Sequence, residues 1–98
     1  MVTFRFEAEL WEWSSSTSWV FVSLPTDVTD EIRERSTLPR RGFGSIPVSV
    51  SIGGTQWTTS VFPDSQRDTY VLPLKKAVRT KEQLDVGDTA AVVVDIDL

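Results

Sequence analysis

The chain has no cysteine and no histidine among its 98 residues. The first absence excludes a disulfide scaffold and any thiolate metal site. The second removes the usual general base and the commonest transition-metal ligand. Long apolar runs are missing too. The longest, Ala90 to Val94, covers five residues, against roughly 20 for a membrane-spanning helix. The opening Met1-Val2-Thr3-Phe4-Arg5-Phe6-Glu7 is interrupted by charge where a signal peptide needs an apolar stretch. Together these absences predict a cytoplasmic protein with no metal and no cofactor, and they weigh against catalysis.

What is present is globular in character. Apolar residues make up 40 % and charged residues 24 %, close to the averages of folded domains. A chain of this length forms one domain, spanning 1–98. The net charge of −4 conceals an asymmetry. Residues 1–31 hold six acids and one base, residues 32–81 nine bases and three acids, and residues 82–98 five acids and no base. The segments therefore carry −5, +6 and −5. Opposite charges can pair across a small fold, or the middle segment can form a basic face on an acidic body.

Strict alternation places Val2, Phe4, Phe6, Ala8 and Leu10 on one face and Thr3, Arg5, Glu7, Glu9 and Trp11 on the other. That is the pattern of a half-buried strand. The hydroxyl run Ser14 to Ser18 reads as a hairpin loop before a second strand, Trp19 to Leu24. After Pro25, acids at Asp27, Asp30 and Glu31 precede Arg33 and Arg35, the charge order that suits a helix dipole. Val28 and Ile32 supply its narrow apolar stripe.

A further amphipathic strand carries Ile46, Val48, Val50 and Ile52. Pro47 within it argues for an edge or a bulge. Gly53-Gly54 marks a tight hairpin into Thr55 to Phe62. Tyr70 to Leu74 is a short strand and Leu74 to Arg79 a short helix. Ala90 to Leu98 is the last strand. The order β-β-α-β-β-β-α-β predicts a mainly β fold. We expect a small closed or split β-barrel of about six strands with two short helices.

Arg41-Gly42-Phe43-Gly44-Ser45-Ile46 resembles an RNA-recognition signature, yet Ser45 and Val48 stand where base-stacking aromatics belong. Gly42 and Gly44 without a following Gly-Lys-Ser/Thr do not make a P-loop. The same stretch suits another chemistry. Arg40 and Arg41 beside flexible glycines can offer guanidinium forks and backbone N–H groups to an anion. Lys75, Lys76 and Arg79 cluster on one helical face, with Lys75 and Arg79 one turn apart. For both groups the ordinary alternative is a solvated surface paired with nearby acids. Of the four tryptophans, Trp11, Trp13, Trp19 and Trp57, at least three are expected in the core, with one free to line a pocket.

Four stretches resemble one family. They are Arg40 to Val48, Trp57-x-x-Ser60-Val61-Phe62-Pro63, Tyr70 to Arg79, and Gly87-Asp88. In that order they look like the bacterial domain of unknown function 1905. The resemblance spans nearly the whole chain. It implies a small split β-barrel, similar in architecture to the double-split barrels of some transcription regulators. It implies no activity, so it transfers no catalytic residue.

The functional expectation is a non-enzymatic binding module for a small anionic ligand or a protein partner. Its site would be formed by Arg40, Arg41, Phe43, Lys75, Lys76 and Arg79. Two alternatives differ in class. One is a nucleic-acid-binding barrel, disfavoured by overall acidity because affinity rests on phosphate neutralisation. The other is an enzyme dependent on carboxylates or a lysine.

Overall fold

The computed structural model describes residues 1–13, 19–35 and 44–98. Its elements are β1 (Val2–Glu9), β2 (Trp11–Glu12), β3 (Val20–Ser23), α1 (Thr26–Arg35), β4 (Ile46–Ile52), β5 (Thr55–Asp64), β6 (Thr69–Pro73), α2 (Lys76–Glu82) and β7 (Thr89–Ile96). The strands form one antiparallel sheet in the order β1-β7-β4-β5-β6-β3-β2. The two edge strands, β1 and β2, are consecutive in the chain and separated only by Leu10. The sheet therefore curls until its ends meet, giving a small, mainly β split barrel with two helices.

Seven strands rather than about six arise because the first alternating segment changes partner midway. Val2 to Glu9 pairs with β7. Trp11 and Glu12 pair with Phe21 and Val20 of β3. At the corner, Leu10 N–H donates to the Asp88 carbonyl, and Leu10 C=O accepts from Gly87 N–H, each at 2.9 Å. Gly87 can turn there because its φ is +95°, a left-handed value that glycine adopts without steric cost. The Leu10 side chain points inward and is only 1 % exposed. One leucine thus anchors the strand as it passes from one side of the barrel to the other.

The core is aliphatic. Ile46, Val48, Val50 and Ile52 of β4 face Val92, Val94 and Ile96 of β7, with Val22, Leu24 and Leu72 from the far strands. Alternation delivers these side chains to one face, as period two requires. Helix α1 buries Val28, Thr29 and Ile32. Thr29 tolerates burial because its Oγ1 accepts a 3.3 Å hydrogen bond from Tyr70 N–H. Arg33 of α1 reaches Asp68 at 2.9 Å, and Arg35 pairs with Glu31 at 3.1 Å. Part of the basic middle segment is therefore paired at the surface.

Gly53, with φ +56°, opens the two-residue hairpin between β4 and β5. A positive φ at Gly53 without one at Gly54 is that of a type II′ turn. A Cβ there would also collide with the Glu82 carboxylate, which accepts from Thr55 Oγ1 at 2.5 Å. In this hairpin Ile46, Val48, Val50 and Ile52 exchange hydrogen bonds with β5, so Pro47 turns its missing N–H toward β7. The β7 ladder covers only Ser49 to Ile52 of β4. Pro47 therefore costs no ladder bond, which is why a central strand accommodates it.

Candidate functional site

The alternation that sends Leu10, Val20 and Val22 inward sends Trp11, Trp13, Trp19 and Phe21 outward. Trp11 and Phe21 are directly paired across β2 and β3, and their rings stack with centroids 5.2 Å apart. Trp19 stacks on Phe21 at 6.1 Å, and Trp13 meets Phe21 edge-on at 6.0 Å. Trp13 N–H donates to the Trp19 carbonyl at 3.0 Å, which fixes the two indoles at the mouth of one hairpin. Phe21 is nearly buried, yet it lies outside the main core. Trp11, Trp13 and Trp19 pack against it in a second apolar layer on the outside of the barrel.

Among the described residues a single cation, Arg67, braces this layer. The Arg67 guanidinium lies 3.6 Å from the centre of a Trp11 ring and 5.8 Å from that of Trp13. Such stacking contributes about 0.5–1 kcal/mol at an exposed site. Asp64 holds the arginine in place through a 3.1 Å bond from Nη1 to Oδ2. Asp64 Oδ1 also accepts from the backbone N–H of Gln66 at 2.9 Å and of Arg67 at 3.3 Å. One carboxylate, 7 % exposed in its side chain, therefore folds the turn between β5 and β6 and aims the guanidinium. Below them, Trp11 Nε1 donates to Ser23 Oγ at 3.0 Å, which sets the tilt of the indole.

Beside this layer runs an open groove of about 730 Å³, lined chiefly by Trp13, Trp19, Phe21, Phe62, Pro63 and Asp64. Trp13 is 43 % exposed, Trp19 59 % and Phe62 37 %. Three large apolar side chains exposed along one groove are more than the scattered singles of an ordinary surface, and such clusters mark interaction sites. A second, more polar groove of about 490 Å³ lies over β4 and β5, with Asp95 and Asp97 at its side.

Of the expected anion-binding residues, Lys75, Lys76 and Arg79 lie away from both grooves. Lys75 and Lys76 are exposed at the start of α2. Arg79 is half-buried and donates from Nε to the Leu74 carbonyl at 3.1 Å. Arg40, Arg41 and Phe43 lie outside the described residues. Among the described residues no group of three acids forms a metal site, and no helix is long and apolar enough to cross a membrane.

The tryptophans correct the sequence reading. Of the four, Trp57 is the one that packs against the main core, where its Nε1 is buried with no hydrogen-bond partner among the described residues. The other three form the outer aromatic layer, because strand parity outweighs the general tendency of tryptophan to be buried. Arg67, Phe62 and the indoles of Trp13 and Trp19 are thus site residues that the search for basic clusters missed. Alternation alone exposes the tryptophans as outward-facing. Nothing local in the sequence places Arg67 over Trp11.

The domain of unknown function DUF1905 matches residues 6–94. The chain belongs to this family. The match takes in β2, β3, β5 and β6, so the aromatic layer, Asp64 and Arg67 all lie within the DUF1905 domain. No curated protein was found to match it.

Proposed function

We propose that this DUF1905 domain is a non-enzymatic binding module, and that its contact surface is the aromatic groove on the outside of β2, β3 and β6. The observation that carries the proposal is the exposure of Trp13, Trp19 and Phe62 along one groove, beside an aromatic layer on which Arg67 stacks. Rigid rings lose little entropy on contact, so a preformed aromatic surface favours binding.

Size decides the kind of partner. Side chains of this class bury about 150–250 Å² each. At the observed exposures the three offer roughly 300 Å² between them, well short of the roughly 800 Å² per partner of a stable globular interface. A short extended segment of a protein partner fits; the face of a second folded chain does not. Among the described residues no base lines the groove and the nearby Arg67 is already paired with Asp64, which disfavours an anionic ligand or a nucleic acid.

Selection from a phage-displayed library of random short peptides tests this reading. The wild-type domain is expected to enrich specific clones, and those clones are expected to lose most of their binding to a Trp13→Ser/Trp19→Ser variant. Absence of enrichment, or equal binding to both proteins, would contradict it.

A further inference from the structure

Strand β1 is an open edge. It ends the sheet, and among the described residues its ladder is with β7 alone. The two-residue hairpin at Gly53-Gly54 makes Ile52 and Thr55 a hydrogen-bonded pair, which fixes the parity of the neighbouring strands. Ser49 and Ser51 then bond to β7, so Val94 and Val92 turn their backbone groups to Phe4 and Phe6 of β1. Leu10 obeys the same parity, since Asp88 and Gly87 hold its N–H and C=O. Thr3, Arg5 and Glu7 therefore point their N–H and C=O groups away from the sheet. Among the described residues nothing bonds to those groups. The three side chains are exposed on the outer face. Thr3 donates to Asp95, whereas Arg5 and Glu7 lie across from Val93 and Ala91. Neither has an ion-pair partner among the described residues.

We infer that two copies of this chain associate through this edge, β1 of one pairing antiparallel with β1 of the other. The order of charges carries the inference. A two-fold axis at Phe6 sets Arg5 of each strand opposite Glu7 of the other, and each such pair exchanges both backbone hydrogen bonds. The neighbouring registers are penalised. One sets Arg5 against Arg5 and the other sets Glu7 against Glu7, and like charges directly opposite destabilise a sheet. On the inner face the favoured register sets Phe6 against Phe6 and Phe4 against Ala8. Phe6 and Ala8 are only half-buried within one chain, so a second strand covers apolar surface that the split barrel leaves open. Charged side chains ordinarily blunt an open edge; on β1 their order makes the strand complementary to itself. An acidic or a basic strand from another protein leaves either Glu7 or Arg5 unmatched. None of these residues lines the aromatic groove, so the two surfaces stand or fall separately.

Sedimentation equilibrium of the intact chain tests the inference. One strand pair is a small interface, so association is weak and the dimer is expected to be evident by about 1 mM protein. Arg5→Glu and Glu7→Arg, both at exposed positions, are each expected to weaken dimerisation at least about tenfold. The far-ultraviolet circular dichroism of both variants is expected to stay that of the wild type. The charge-swapped Arg5→Glu/Glu7→Arg chain is expected to dimerise again, as is an equimolar mixture of the two single variants. A wild-type chain that remains monomeric at about 1 mM overturns the inference. So does a dimer that both single variants leave intact, or one lost in them that neither the swap nor the mixture restores.

Discussion

Replacing Leu10 by alanine is expected to lower the unfolding free energy by about 3–4 kcal/mol, the cost of truncating a fully buried leucine in a well-packed core. Leu10 is 1 % exposed and sits where the first strand leaves β7 for β3. Its backbone is held on the β7 side by Gly87 and Asp88, while its neighbours Trp11 and Glu12 already pair with β3. A cavity at this corner weakens both ladders at once, since Leu10 is the residue that joins the two edge strands of the sheet. For a domain of this size the loss corresponds to a fall of roughly 4–8 °C in melting temperature for each kcal/mol. A Leu10→Met variant, which conserves volume, is expected to lose less than about 1.5 kcal/mol. Thermal and urea unfolding of both variants check the account. A loss below about 1 kcal/mol for the alanine variant would mean that the barrel closes without this anchor.

An Asp64→Ala variant is expected to disturb the binding face more than the fold. Three hydrogen bonds end on this carboxylate, two from backbone N–H groups and one from the Arg67 guanidinium. Gln66 and Arg67 are exposed, so water replaces part of what is lost, and the destabilisation should stay near 1–2 kcal/mol. The larger consequence falls on Arg67. Without its partner the guanidinium no longer has a fixed position over Trp11, and the ring layer loses its brace. An Asp64→Asn variant keeps an oxygen for the two backbone donors and removes the charge that holds the arginine. It should retain most of the stability and still release the stack. Near-ultraviolet circular dichroism, which reports the fixed environment of the indoles, is expected to change in both variants, whereas unfolding separates them. Unchanged spectra in both would show that Arg67 does not need Asp64 to cover Trp11.

The architecture was largely legible because period two is a strong signal in this chain. Ile46 to Ile52 alternates without interruption, and the Gly53-Gly54 hairpin between β4 and β5 follows from residues that a tight turn favours. The break at Leu10 was hidden because Leu10 continues the alternation of Val2 to Ala8. A change of partner that leaves the facing of side chains intact writes nothing into the pattern. Similarly, Pro47 signalled an edge, and the structure shows a local one, a part of β4 that β7 does not reach. The candidate site was less legible. The basic residues stand out by type, whereas the aromatic groove joins Trp13, Trp19 and Phe62, which are distant in sequence and brought together by the fold. Parity could have exposed Trp13 and Trp19, but general burial preference pointed the other way.

The four tryptophans make the decisive measurement simple, because each contributes one indole N–H resonance to a nitrogen–proton correlation spectrum. Titrating the labelled domain with a peptide selected on it should shift the signals of Trp13 and Trp19 first and furthest. Trp11, bonded to Ser23 beneath Arg67, should respond weakly, and Trp57, packed against the core, should stay in place. That pattern is the one the outer aromatic groove predicts. Binding that leaves the Trp13 and Trp19 signals still while backbone signals of α2 move would contradict it and would place the binding face at Lys75, Lys76 and Arg79 instead.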